Sequence, residues 1–210
     1  QLFGYVDKPF FCIVMEYFAH GNLLDNMKRM SQTRKLRIAQ EISRGIYYLH
    51  KRQPVSIIHR DIKPSNVFLT DSFKSKIGDF GISKMDTRSK KSREFVEQDH
   101  DITAGVGTLR YMAPEVKGTA PYTNAIDIYS LGILFYELFE GRRYHPEHNM
   151  IWYKTPKKIR ILISNMMSHK SVERPPIEVV YDALNSQQPN MNFLKFKETL
   201  SLICRALRPL

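Results

Sequence analysis

The tightest constraint on this chain is one string, Ile58-His59-Arg60-Asp61-Ile62-Lys63-Pro64-Ser65-Asn66, followed 13 positions after Asn66 by Asp79-Phe80-Gly81. Between the two, Val67 to Thr70 reads as a strand, Asp71-Ser72 as a turn and Lys76-Ile77 as a second strand. The string thus brings together two carboxylates, an amide and an ammonium. Asp61 can orient a hydroxyl and accept its proton, Asn66 and Asp79 offer the hard oxygen ligands that Mg²⁺ requires, and Lys63 can neutralise charge on a group in transit. A lone His-Arg-Asp triplet would say little, because a buried Asp bonded to backbone amides and an Arg on a solvated face occur in any globular protein. Here the signal is compound, with residue type and spacing agreeing over more than twenty positions.

Composition restricts the setting. With 42% apolar and 11% aromatic residues, the 210-residue chain can bury a sizeable core in one domain or one large lobe. It has no run of 18 apolar residues, so no membrane-spanning helix is expected. The first residues, Gln1 to Asp7, carry neither a charged leader nor a cleavage-site pattern, and Asn-x-Ser/Thr is absent, so a cytoplasmic location is expected. Cys12 and Cys204 stand far apart among apolar neighbours and are expected to be buried, reduced thiols. The net charge of +11 invites a nucleic-acid reading. The basic residues, however, are spread over Lys28 to Arg37, Lys84 to Arg93 and Tyr153 to Arg160, with no zinc-finger spacing and no base-stacking aromatic pattern. Solvated faces and a preference for anionic partners account for them more simply, and no nucleic-acid partner is required.

The whole constellation resembles the protein-kinase catalytic loop and its metal-binding Asp-Phe-Gly partner. Gly107-Thr108 followed by Tyr111-Met112-Ala113-Pro114-Glu115 is similar to the end of a kinase activation segment, and Arg174 sits where that fold places the ion-pair partner of the Glu. The resemblance covers nearly the whole chain. It implies an α+β, protein-kinase-like fold: residues 1–20 as a remnant of the small lobe with the hinge, 21–185 as a mostly helical large lobe, and 186–210 as an amphipathic tail. It further implies transfer of the γ-phosphoryl of ATP to a protein Ser or Thr with Mg²⁺. Asp61, Lys63, Asn66, Arg60 and Thr108 would be the catalytic residues, and Asn66 and Asp79 the metal ligands. Met15 would be the gatekeeper, Glu16 and Phe18 would bond adenine through their backbones, and Asn22, Phe68 and Asp79 would complete the nucleotide site. Lys63 together with Thr108 points to the serine/threonine type. Ser65 to Leu69, the long segment from Asp79 to Glu115 and the Thr103 to Thr108 string are similar to the kinases acting on the alpha subunit of translation initiation factor 2. In those kinases an activating phosphothreonine falls at the place of Thr103, and Arg60 with Arg88, Lys90, Lys91 and Arg93 can supply charge to such a phosphate.

Periodicity supplies the frame. The run from Phe10 to Tyr17 suits a strand buried on both faces, with an ordinary core strand and turn as the alternative to a hinge. Leu36, Ala39, Ile42, Ile46 and Leu49 predict an amphipathic helix from Ser31 to His50. Another, capped at Thr123-Asn124, is apolar almost all round through Phe135 and should be buried. Asp127 at its start must find donors: the kinase resemblance implies the catalytic-loop backbone, and the alternative is the helix N-terminus alone. Ile159 to Met167 and Ile177 to Leu184 predict two further helices, and Phe193 to Leu207 an amphipathic tail packing on the lobe.

Before the hinge, Gln1 to Pro9 leave room for one small-lobe strand, so the glycine-rich loop, the strand Lys and its Glu partner of the kinase pattern have no counterpart here. A fragment or short form of a longer kinase is therefore expected. The competing expectation is a non-catalytic kinase-like module that binds a substrate or partner.

Overall fold

The computed structural model describes residues 2–8, 10, 12–81, 83–86, 109–117 and 123–186. Its order is β1 (Leu2–Val6), β2 (Cys12–Met15), α1 (Leu23–Asn26), α2 (Gln32–Lys51), β3 (Ser56–Ile58), β4 (Val67–Leu69), β5 (Ser75–Ile77), β6 (Lys84–Asp86), α3 (Ala125–Glu140), α4 (Lys157–Met166) and α5 (Ile177–Asn185). The strands form three separate antiparallel pairs, β1 with β2, β3 with β6 and β4 with β5. This mixed, mostly helical architecture is the kinase-like α+β fold expected from the sequence.

Helix α2 forms where its period placed it. Ser31 caps it, its hydroxyl accepting from Arg34 N at 3.3 Å, and Ile38, Ala39, Ile42, Ile46 and Leu49 turn inward. Helix α3 is buried on all sides from Ile126 to Glu140, as its all-round apolar sequence requires. Thr123 rather than Asn124 contributes the side-chain bond at its start, its hydroxyl accepting from Ala125 N at 3.2 Å. Gly141 ends it at φ +71, a left-handed conformation that glycine adopts without a Cβ penalty. Helices α2, α3, α4 and α5 and strands β4 and β5 contribute to one main core containing Leu131, Leu134, Phe135 and Leu138. Fully burying each such side chain contributes about 1.5–3 kcal/mol.

Two expectations fail at the amino-terminal end. Strand β2 pairs only with β1, and all four of its residues are exposed rather than buried on both faces. Burial needs a second layer, which among the described residues this hairpin does not have. For the same reason Cys12 is exposed; it is free, and Cys204 lies outside the described residues. No helix among the described residues is long and apolar enough to cross a membrane.

Candidate active site

The site is built on a loop that α3 holds from beneath. The carboxylate of Asp127, wholly buried, accepts from His59 N at 2.8 Å and Arg60 N at 2.9 Å, and lies 2.8 Å from the ring of buried His50. Three polar partners on a buried carboxylate satisfy the demand that the helix pattern raised. Arg60 stands at φ +72, left-handed backbone that a non-glycine residue keeps only when its surroundings enforce it, and the bond to Asp127 does so. The buried ring of His59 donates from Nε2 to Gly78 O at 3.1 Å and accepts at Nδ1 from Asp61 N at 3.3 Å. Both bonds together require the neutral tautomer, and burial lowers the ring's pKa in the same sense.

Asp61, Lys63 and Asn66 are brought into direct contact. Lys63 Nζ and Asn66 Nδ2 both donate to Asp61 Oδ2, at 2.7 and 2.8 Å, and Asn66 Nδ2 also reaches Asp61 O at 2.9 Å. Oδ1 of Asp61 has no partner among the described residues. Because Asn66 spends its amide nitrogen on Asp61, its Oδ1 remains an acceptor. Strands β4 and β5 then return the chain: Gly78 N donates to Asn66 O at 2.9 Å, which brings Asp79 back beside the loop. Asp79 is left-handed at φ +61, and its Oδ1 accepts from Gly81 N at 3.4 Å.

The residues expected to contact nucleotide are linked through Phe68. Its ring stacks on Phe18 at 4.9 Å and lies so close to Gly78 that a Cβ there would stand 2.7 Å from it. Asn22 bridges to the Phe68 backbone, but its side chain is engaged as the cap of α1, accepting from Asp25 N at 3.2 Å. Lys76, opposite Phe68 in the β4–β5 pair, binds both carboxylate oxygens of Glu16 at 2.7 Å, and this contact lowers the Glu16 pKa. Met15 lies on exposed β2. Thr103, Thr108 and the run from Arg88 to Arg93 lie outside the described residues.

Glu115 and Arg174 pair as expected, Nη1 to Oε1 at 2.6 Å and Nη2 to Oε2 at 2.8 Å, with the Arg174 side chain fully buried. Arg174 also lies 4.9 Å from the centre of the Tyr129 ring, whose hydroxyl is pushed up to about 12 by burial and by Tyr144.

Two carboxylates went unnoticed in the sequence. Glu137 accepts from the Tyr111 hydroxyl at 2.7 Å and Tyr144 N at 2.9 Å, and Glu140 accepts from the backbone of Tyr153, Lys154 and Thr155. An acidic residue inside an otherwise apolar helix is the signal that singled out Asp127, and it applied equally to these two.

The protein kinase domain family model matches residues 3–204. The chain belongs to the protein kinase family. It is 37% identical over 135 residues to the serine/threonine/tyrosine-protein kinase HT1 of Arabidopsis thaliana, covering 62% of this chain and 31% of that protein. It is 32% identical over 195 residues to serine/threonine-protein kinase 12 of the same plant, covering 83% of this chain and 40% of that one. PTI1-like tyrosine-protein kinase 3 is 29% identical over 230 aligned positions and is covered to 55%. The chain therefore spans less than two thirds of the length of each of these relatives. Their names include both serine/threonine and tyrosine kinases.

The donor set suits the metal and nucleotide that the kinase family implies. No group of three or more His, Cys, Asp or Glu side chains among the described residues could hold a metal ion. Asn66 Oδ1 and the Asp79 carboxylate would be its hard oxygen ligands, a donor set that fits Mg²⁺, which is commonly held by one or two protein groups together with waters and substrate phosphates. When bound, the metal supplies charge neutralisation on the phosphate oxygens.

Proposed function

We propose that this chain carries the catalytic loop of a protein serine/threonine kinase that uses ATP and Mg²⁺. One observation carries the reading: Lys63 and Asn66 converge on a single oxygen of Asp61 and leave the other without a partner among the described residues. A carboxylate held in this way is oriented before substrate arrives. Oδ1 can accept the hydrogen bond of an acceptor hydroxyl and take its proton as the bond to phosphorus forms. Lys63, already beside that carboxylate, places an ammonium where negative charge passes between nucleotide and acceptor. Asn66 and Asp79 would hold the metal, and Phe18, Phe68 and the backbones of Glu16 and Phe18 the adenine. Met15 and Asn22 complete that rim. The acceptor class, Ser or Thr, rests on Lys63 and Thr108 in the kinase pattern, and the same resemblance makes Thr103 the position of an activating phosphate.

The test is phosphate transfer from radiolabelled ATP by the full-length protein and its Asp61→Asn variant. The amide keeps the shape and cannot accept the proton, so turnover should fall about 10²- to 10⁴-fold. Unchanged turnover refutes Asp61 as base. Nucleotide binding with no transfer by either protein would favour the non-catalytic module.

A further inference from the structure

The carboxyl-terminal end of α3 gathers positive charge from separate stretches of chain. Lys35 of α2 is only 3% exposed, and its ammonium donates to Phe139 O at 3.3 Å. Burial and the neighbouring Lys154 charge hold its pKa below the ordinary lysine value, while Glu140 acts the other way. Arg142, just past the helix, lies 4.8 Å from the centre of the Tyr153 ring. Glu140, Gly141, Arg142, Tyr153 and Lys154 wall a cleft of about 330 Å³. That volume suits one anionic side chain.

Glu140 offsets part of this charge, but Lys35, Arg142 and Lys154 outnumber it, and its oxygens are already taken up by neutral donors. Glu140 takes the backbone N–H groups of Tyr153, Lys154 and Thr155 and the Thr155 hydroxyl. One turn back, Glu137 takes Tyr111 and Tyr144 and has Arg110 3.8 Å away. The Glu137–Tyr111 bond also joins this end of α3 to the segment that leads into Ala113, Pro114 and Glu115. The Arg142 fork and the Lys154 ammonium, beside the Tyr153 ring, can receive carboxylate or phosphate oxygens. An anion there would also relieve the repulsion between Lys35 and Lys154.

We propose that this cleft binds an acidic or phosphorylated residue of the protein substrate, so that the kinase selects acceptor hydroxyls flanked by negative charge. The inference rests on the kinase reading above. Its test is fluorescence anisotropy on the full-length protein at physiological salt, with short Ser peptides carrying flanking Ala, Glu or phosphoserine. The phosphoserine and Glu peptides should bind about tenfold more tightly than the Ala peptide. A phosphoserine peptide binding well above the Glu peptide identifies phosphate as the source, and equal binding identifies any carboxylate. The double change Arg142→Glu with Lys154→Glu, both at exposed positions, should abolish the preference. Lys35 is left intact because it bonds the end of α3. Should the double variant unfold, NMR titration of the Lys35 ammonium in the unaltered protein decides: the Glu and phosphoserine peptides should raise its pKa and the Ala peptide should not. Equal binding of all three peptides, a preference that survives charge reversal, or an RNA oligonucleotide of equal charge binding more tightly overturns the proposal. Phosphorylation of the Ala peptide by the unaltered protein is scored separately. Its failure would count against the kinase reading and leave the binding result to decide the cleft.

Discussion

Arg174→Ala tests the tie between the end of the activation segment and the late helices. The guanidinium makes a two-pronged contact with Glu115 and donates as well to Ala125 O at 2.9 Å, Ser168 O at 2.8 Å and His169 O at 3.3 Å. Breaking a buried ion pair by removing one partner costs about 3 to 5 kcal/mol. Glu115 keeps 21% of its side chain exposed, so water partly solvates the stranded carboxylate and about 3 kcal/mol is the appropriate figure for the pair. Three carbonyls losing a donor add to this without summing fully, for about 4 kcal/mol in all. In a domain of this size that lowers Tm by about 8–16 °C, measured by calorimetry or circular dichroism. Arg174→Lys should recover only part, since an ammonium keeps the charge but not the fork. The pH dependence carries a sign. Burial by itself would raise the Glu115 pKa, but its bonds to Arg174 prevail and hold it below the ordinary 4.5. A depressed carboxyl stabilises the fold above its unfolded pKa and loses that contribution as pH falls through the folded value. Unfolding below about pH 4.5 should therefore be less steep with pH in Arg174→Ala. A Tm shift within error, or full recovery by Lys, refutes the reasoning.

Asp127→Asn replaces one oxygen by an NH₂, so that one of the two backbone N–H groups, of His59 or of Arg60, loses its acceptor; stability should fall by about 1–3 kcal/mol, with turnover falling further, and wild-type values for both would refute the anchoring role. Isothermal titration should detect Mg²⁺ only when nucleotide is also present, because Asn66 and Asp79 offer too few ligands alone; tight binding of Mg²⁺ by itself would contradict the site. Thr103→Ala in the full-length protein should depress activity with Tm unchanged, since a phosphate brings about −1.5 to −2 charges for which the basic residues of this chain can supply the opposite charge. An unmodified Thr103 in mass spectra of active protein, with an active Ala variant, would eliminate that switch.

What the sequence by itself determined was local or tied to a long motif. The three-to-four spacing from Leu36 to Leu49 sets α2 because a helix returns a side chain to one face at that interval, whatever packs against it. Asp127 stood out because a charge in a helix apolar all round must find partners. The contact of Glu115 with Arg174, 59 residues apart, could be expected only through the kinase resemblance. Tertiary structure alone decided the rest. The run around Ile13 and Val14 has the composition of a buried strand, yet burial depends on a second layer that composition does not contain, and β2 stays exposed. Lys35 carries a charge at the start of a helix and reads as a solvated residue; the end of α3, more than a hundred positions away in the chain, is what buries it. The sharing of one Asp61 oxygen by Lys63 and Asn66 likewise needs the loop's actual path. Side-chain period follows from backbone geometry residue by residue, whereas burial and the choice of hydrogen-bond partner are properties of whatever distant segment arrives beside the group.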